Sequence, residues 1–237
     1  MKRLIILIIT VFGVNTSFGQ TIATGVGFFW QNYKRIVPIK NQIPVDEFVP
    51  DQKYFDFVFD ENDKGWTYGF SYNHLRGWTI FDISNENGSF GLGTRRTFIH
   101  RLGFSCFRNL LDLKRNIKFS PFATMYLEYS KVNKYVQSGN FAYVGDHLHP
   151  DYEGTLSYEA IPRFQINPVI GVEFTWNFWY RFSFVTRASY SQGFRPFQRI
   201  FFDYKYQGIQ QPIGIIESNG SGQIISFMLA YRFGKTI

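Results

Sequence analysis

The stretch QINPVIGVEFTWNFWYRFSF, residues 165–184, decides how the rest of the chain is read. Ile166, Ile170, Val172, Phe174, Trp176 and Phe178 share one parity, while Gln165, Asn167, Gly171, Glu173, Thr175 and Asn177 share the other. Alternation of this kind has the period of a β-strand, whose successive side chains point to opposite faces. A tight turn near Trp179 follows, beyond which Phe182, Phe184, Ala188 and Tyr190 oppose Arg181, Ser183, Arg187 and Ser189. One face of the hairpin is apolar and aromatic; the other holds the charges.

The pattern recurs along the chain. Ile225, Phe227, Leu229, Tyr231 and Phe233 form an apolar face near the carboxyl end. Ile117, Phe119, Ala123, Met125, Leu127 and Tyr129 alternate with Lys118, Ser120, Phe122, Thr124, Tyr126 and Glu128, and Trp66, Tyr68, Phe70 and Tyr72 with Thr67, Gly69, Ser71 and Asn73. After Gln20 no stretch sustains helical spacing and no window of 18 apolar residues occurs, which excludes a bundle of membrane helices.

A soluble barrel or sandwich buries its apolar face, whereas a membrane barrel turns it outward. With 20% aromatic residues among 237, a small soluble core would have to enclose more rings than such cores hold. Rings suit the two interfaces of a membrane, where an amphipathic side chain sits between water and hydrocarbon. The expected fold is therefore all-β, an eight-stranded antiparallel transmembrane β-barrel with short periplasmic turns and long extracellular loops. Strands are read at 22–36, 65–73, 76–84, 97–109, 116–135, 162–177, 180–206 and 223–234. Short connections fall at 73–76, 110–115 and 177–180, and long ones at 37–64, 85–96, 136–161 and 207–222. The turn-rich segments 60–65, 84–89 and 217–222 are assigned to the outer loops, and Pro121, Pro168 and Pro196 to bulges or rim positions.

The amino terminus reads as a signal peptide over 1–19, with Lys2 and Arg3 before the apolar run 4–14 and small residues ahead of Gln20. Cleavage after Gly19 leaves one barrel domain, 20–237, in the cell outer membrane. It also removes two of the 25 basic residues, leaving 23 against 18 acidic ones, a net charge of +5. Export argues against nucleic acid as a partner and points the excess charge to outer-membrane lipid and lipopolysaccharide. Cys106 is the only cysteine, so neither an intrachain disulfide nor a lipid-anchored amino terminus is expected, and it reads as a packing residue.

Phe18-Gly19-Gln20, the alternating segment 168–174, Tyr190-Ser191-Gln192-Gly193-Phe194 and the terminal Leu229-Ala230-Tyr231-Arg232-Phe233 resemble the small outer-membrane β-barrel proteins of Bacteroidota. Some of that group resemble OmpA-like and OmpX-like barrels, and others the PorT-like factors linked to protein secretion. The resemblance covers most of the mature chain, is one of pattern, and implies location more firmly than activity.

Eight strands leave a lumen just wide enough for side chains to fill. The charges expected inside are Arg101, Lys118, Glu128, Glu173, Arg181, Arg187 and Arg232, paired because an unpaired buried charge is costly; the alternative is a narrow anion pore. Trp176, Phe178, Trp179, Tyr180, Phe182, Tyr231 and Phe233 are expected to form the periplasmic aromatic girdle. For catalysis, Ser191 falls where the resemblance to lipid A deacylases would place a nucleophile, but Ser189 stands where their histidine would be, and neither His74 nor His100 supplies an evident base. No catalytic residue, and so no enzyme, is expected. Asp146, His147, His149, Asp151 and Glu153 have metal-ligand chemistry but read as a solvated loop, and Gly88, Gly91 and Gly93 lack the lysine and helix of a phosphate loop. No metal or other cofactor is expected. A protein partner is expected at the long outer loops, of which 37–64 and 136–161 are the longest.

Amino-terminal sequencing of the protein from purified outer membranes is expected to begin at Gln20; a mature chain beginning at Met1 would overturn the export reading.

Overall fold

The opening stretch forms two antiparallel strands, Phe164–Trp179 and Phe182–Ser191, joined through Tyr180 and Arg181 and paired from Val169↔Ser191 to Trp179↔Phe182. The structure, a computed structural model, describes residues 20–37, 42–44, 47–59, 65–77, 80–85, 88–93, 97–113, 116–131, 139–143, 152–161, 164–196 and 198–233. The residues read as a signal peptide lie outside them.

In chain order the strands are β1 (Gln20–Val37), β2 (Gln42–Pro44), β3 (Glu47–Phe59), β4 (Trp66–Gly77), β5 (Ile80–Asn85), β6 (Gly88–Gly93), β7 (Thr97–Arg108) and β8 (Leu111–Leu113). They continue as β9 (Ile117–Lys131), β10 (Gly139–Tyr143), β11 (Tyr152–Ala160), β12 (Phe164–Trp179), β13 (Phe182–Ser191), β14 (Gln198–Tyr206), β15 (Ile209–Gln210) and β16 (Gly214–Phe233). Strands β1, β3, β4, β7, β9, β12, β13 and β16 pair in that order, each antiparallel to the next. β16 returns to pair with β1 from Gln20↔Phe233 to Val37↔Ile215, so the eight close into a barrel.

The number of strands is as expected, but their identities differ in two places. β3 lies inside the segment read as the long loop 37–64. Its run Tyr54-Phe55-Asp56-Phe57-Val58-Phe59 is apolar on both parities except at Asp56, which hides the period. Conversely, the strand read at 76–84 is not in the barrel: β4 runs through to Gly77, and β5 pairs with β2 and β6 in a separate sheet. The turn read at 73–76, with His74 in it, is therefore the upper part of a strand. Of segment 60–65, assigned to the outer loops, residues 60–64 lie outside the described residues; β3 ends at Phe59 opposite Gln20, at the same end as Phe233.

The strand read at 180–206 is two strands on one line. β13 pairs with β16 over Gly222 to Tyr231, and β14 with the same edge over Gly214 to Ser218. Pro196 lies in the interruption. Pro121 falls where β9 passes from its pairing with β7, ending at Phe107↔Phe122, to that with β8 at Leu111↔Phe119, and Pro168 lies just beyond the last β12–β13 pair. Each proline thus occupies a gap in a ladder, where its missing N–H is not needed.

Exposure fixes which way the amphipathic strands face. Along β12, Phe164, Ile166, Ile170, Phe174, Trp176 and Phe178 are exposed, whereas Gln165 and Asn167 are buried. Phe70, Leu102, Phe104, Met125, Leu127 and Leu229 are likewise exposed on their strands. From Ile117 to Tyr129, β9 carries about a dozen residues, which at about 3.3 Å each and a tilt of about 40° rise roughly 30 Å, the depth of a bilayer core. An apolar exterior around a polar interior is a membrane barrel, and closed antiparallel barrels are the strand architecture that crosses outer membranes. The protein is an outer-membrane β-barrel.

Ile170 is 64% exposed midway along this wall. Ile170→Arg is expected to lower unfolding stability by about 2–4 kcal/mol, read as a shift in the denaturant midpoint in lipid; an unchanged midpoint would place this face away from the hydrocarbon.

Candidate functional site

The lumen is filled by two charge clusters that the cross-strand register assembles. In the outer one, Arg101 on β7 and Glu128 on β9 are direct partners, and Gln165 on β12 is the next partner along. Arg101 Nε donates to Glu128 Oε2 at 2.6 Å, and both side chains are 0% exposed. Gln165 Nε2 donates to Glu128 Oε1 at 2.5 Å and Asn167 Nδ2 to Glu128 Oε2 at 2.6 Å, so the carboxylate is met by three donors. Arg101 also lies 5.4 Å from the ring centre of Phe29.

The inner cluster is centred on Arg187 of β13. Its Nε donates to Glu173 Oε2 at 2.6 Å, its Nη1 to Asp56 Oδ2 across the lumen on β3, and the guanidinium lies against a pair of touching rings, 4.9 Å from the centre of Phe107 and 5.3 Å from that of Phe122. Thr175 Oγ1 donates to Glu173 Oε1 at 3.0 Å. Neutral groups link the two levels: Asn73 Nδ2 donates to the Tyr126 hydroxyl at 2.9 Å, and Ser105 Oγ lies 2.9 Å from Ser71 Oγ and 2.8 Å from Thr124 Oγ1. Room for the rings comes from small partners; a Cβ on Gly27 would stand 2.6 Å from the Tyr54 ring.

The outer end of the lumen is covered by β16 itself. Between Gln31↔Gly222 and Tyr33↔Ser218 the strand bulges, with Gly220 at a φ of 80°, a value glycine adopts without strain. The bulge reaches across the barrel, since Gly220 O lies 3.5 Å from Arg101 Nη2 on β7 in the opposite wall, and Asn219 O lies 3.5 Å from Gln165 Nε2 on β12. Asn219 Nδ2 donates to Gly193 O at 2.7 Å, and Gly193 N to Ser221 Oγ at 2.9 Å, tying the bulge to the break after β13. Segment 217–222, read as an outer loop, is thus part of the final strand and its lid.

Of the seven charges expected inside, Arg101, Glu128, Glu173 and Arg187 meet in these clusters. Lys118 and Arg232 stand on inward parities near the periplasmic end, half-buried. Arg181 differs: the two-residue turn leaves it exposed, with Nη1 3.4 Å from the Tyr231 hydroxyl. Asp56 is a lumen charge that the sequence reading missed, because its strand was taken for a loop; Gln165 and Asn167, on the polar parity, were not singled out.

The seven girdle residues cluster at the end shared by Gln20 and Phe233. Phe182 lies 4.9 Å from Tyr231, and Tyr231 4.7 Å from Phe233, between ring centres. Trp179 and Tyr180 at the turn are about seven-tenths exposed. Phe55, Phe57 and Phe59, inside the segment read as the outer loop 37–64, stand on the outward parity of β3, and Tyr54 is buried in the lumen.

Beyond the membrane one side of the wall continues as a sheet in the order β10-β11-β14-β16-β1. One face buries Leu156, Ile200, Phe202, Tyr204 and Ile216. The other carries cross-strand ion pairs: Arg199 Nε donates to Glu217 Oε1 at 2.5 Å with Glu159 Oε2 3.6 Å from Arg199 Nη1, and Lys205 Nζ lies 3.2 Å from Glu153 Oε1.

The residues weighed for catalysis are not brought together. Ser191 is buried on the lumen side of β13, and its hydroxyl makes no hydrogen bond among the described residues. His74 and His100 are cross-strand partners on the outward parity of neighbouring strands β4 and β7, with ring centres 4.7 Å apart and the Tyr72 hydroxyl 2.9 Å from His100 Nδ1. Asp146, His147, His149 and Asp151 lie outside the described residues. Among the described residues no group of three or more metal-ligating side chains occurs, and the glycines Gly88, Gly91 and Gly93 lie in strand β6.

No protein-family model matches the chain, and comparison with curated proteins gave no match. Among solved structures, the chain is similar to a major outer membrane protein from Thermus thermophilus, at 13% identity over 92% of this chain and 100% of that one, with a TM-score of 0.47. It is similar to the outer membrane protein OprG from Pseudomonas aeruginosa, at 8% identity over 92% and 97% with a TM-score of 0.48. A third is the attachment invasion locus protein Ail of Yersinia pestis, at 9% over 91% and 99% with a TM-score of 0.41. At such values nothing of those proteins' activities transfers to this chain.

Arg187→Met strands Asp56 and Glu173 without a cation and is expected to cost about 3–5 kcal/mol in denaturant unfolding. Combining it with Asp56→Asn and Glu173→Gln is expected to recover most of the loss. A single variant as stable as the parent would show that the cluster does not hold the barrel together.

Proposed function

We propose that the protein is a non-enzymatic outer-membrane barrel that presents a contact surface to a protein partner outside the cell. The observation that carries this reading is the continuation of the wall beyond the membrane into a sheet with one packed face and one charged face. A stack of paired strands holds side chains in fixed positions, as recognition requires, at a far smaller entropic cost than a loose loop. Phe194, Ile209 and Ile213, all at least half exposed, supply apolar anchors beside the ion-pair ladder.

The lumen supports the same reading by what fills it. Side chains joined across the full width, with a backbone bulge over one end, leave a rigid pillar rather than a path, which speaks against the anion pore. A lipid-modifying activity would need an activated nucleophile at the lipid face, and Ser191 points the other way. The resemblance to small outer-membrane barrels of Bacteroidota, some of them PorT-like secretion factors, accords with a barrel that works by contact.

A photo-crosslinker placed at Phe194 or Ile209 in intact cells is expected to capture the same protein partner reproducibly, while one at Ile170 captures lipid. Capture of lipid alone from every position would sink the proposal. In planar bilayers the purified barrel is expected to give no discrete conductance steps, and steady unitary currents would restore the pore.

A further inference from the structure

The lipid-facing wall is not uniform around the barrel. From Ile117 to Tyr129 on β9, from Phe164 to Phe178 on β12 and from Phe182 to Tyr190 on β13, the outward parity carries no charge and no imidazole. On β3, β4 and β7 the same parity carries a row of nitrogen bases, since the register pairs Lys53 with His74 and His74 with His100. Lys53 is exposed and has no carboxylate partner among the described residues. It stands six residues along β3 from Phe59, which lies opposite Gln20 at the periplasmic end. At about 3.3 Å per residue and a tilt of about 40° that is a rise of roughly 15 Å, into the outer half of an apolar band about 25 Å tall. From there the lysine stem lies along apolar wall while the ammonium climbs to the outer headgroups.

A second donor stands beside it. Tyr72 is diagonal to Lys53 across the β3–β4 pair, where its direct partner is Phe55, and such diagonal neighbours are within reach of long side chains. The Tyr72 hydroxyl lies 2.9 Å from His100 Nδ1. A phenol and a neutral imidazole hold two polar hydrogens between them, and this bond uses one. Whichever tautomer His100 takes, the other hydrogen, on the Tyr72 oxygen or on His100 Nε2, is left for an acceptor outside the pair. The ring of His74 packs 4.7 Å from that of His100 and 5.8 Å from that of Phe98, which holds the imidazole in place. Lys53 and His100 are two strands apart, about 10 Å between backbones. An oxyanion seated between them meets a cation on one side and an oriented donor on the other, and a phosphate has acceptor oxygens for both.

The wall around these groups says where the phosphate comes from. Toward the periplasmic end the same three strands expose Phe55, Phe70, Leu102 and Phe104, a strip suited to acyl chains. The row continues from His100 to Tyr129 and Phe164, whose rings stack 4.8 Å apart, an aromatic pair of the kind that settles at a membrane interface. A lipid whose chains lie on the strip has its head at Lys53, whereas a soluble anion gains nothing from the strip. We propose that this sector binds a phosphate of lipid A, the membrane portion of outer-leaflet lipopolysaccharide, through Lys53 and the Tyr72–His100 pair. The proposal rests on the membrane placement of the barrel and is independent of the extracellular contact reading.

The test uses the mature barrel in maltoside micelles, which contain no phosphate, with bisphosphorylated lipid A as the probe and native mass spectrometry as the readout. The parent is expected to retain one lipid A, and Lys53→Gln combined with Tyr72→Phe and His100→Leu about tenfold less, the loss of charge-assisted hydrogen bonds. All three side chains face outward, so the lumen network is untouched, and heat-modifiable migration on a gel shows that the variant is folded. Lys53→Gln alone is expected to fall between the two. Arg108→Gln, which removes an exposed outward cation at the periplasmic end, is expected to retain as much as the parent. Lipid A stripped of both phosphates is expected not to be retained. Equal retention by the triple variant or of the stripped lipid would overturn the proposal, as would an equal loss in Arg108→Gln. So would displacement of lipid A by millimolar inorganic phosphate, which would make the sector a site for a soluble anion.

Discussion

Within a bilayer no water is present to satisfy backbone N–H and C=O groups, so a sheet that enters it must have no edge. The pairing of β1 with β16 meets that constraint, running from Gln20↔Phe233 to Val37↔Ile215 and joining the first strand to the last. Once the ring is closed, the two-residue period of every strand divides side chains between lipid and lumen with nothing left over. The aromatic exterior, the polar interior and the confinement of irregular chain to the two ends follow from this one closure.

Eight strands make the interior narrow, and narrowness decides its chemistry. Arginines and carboxylates facing inward have no bulk water, so they persist only as partners: Arg101 with Glu128, and Arg187 with Asp56 and Glu173. Because each pair joins different strands, the network ties the wall to itself through its centre as well as around its circumference. The β16 bulge adds backbone to the same network over the outer end. A barrel so filled has little left to do inside, which turns attention to the charged sheet that continues its wall beyond the membrane.

The architecture was legible in residues 165–184 because both faces of that hairpin are extreme, aromatic on one side and amide or charge on the other. β3 was not, because Val58 and Tyr54 face inward and leave Asp56 as the only polar mark in six residues. The expected count of eight survived because one missed strand was offset by one false one at 76–84. Cross-strand register is not written in any single strand, so Arg101, Glu128, Glu173 and Arg187 were readable as inward charges but not as two separate clusters. The lid was hidden for another reason: Asn219-Gly220-Ser221-Gly222 has turn composition, and a bulge inside a strand uses the same residues as a loop between strands.

The account stands on the claim that one parity of each strand meets lipid and the other meets a closed interior. Spin labels placed one at a time along residues 165–177, with Cys106 replaced, test it directly through collision with oxygen, which concentrates in hydrocarbon, and with a water-soluble nickel chelate. The expected result is a period of two in oxygen accessibility with maxima at Ile166, Ile170, Phe174 and Trp176, and low accessibility to both reagents at Gln165, Asn167, Glu173 and Thr175. High nickel accessibility at that second set would show a water-filled lumen, and loss of the alternation would contradict the barrel itself.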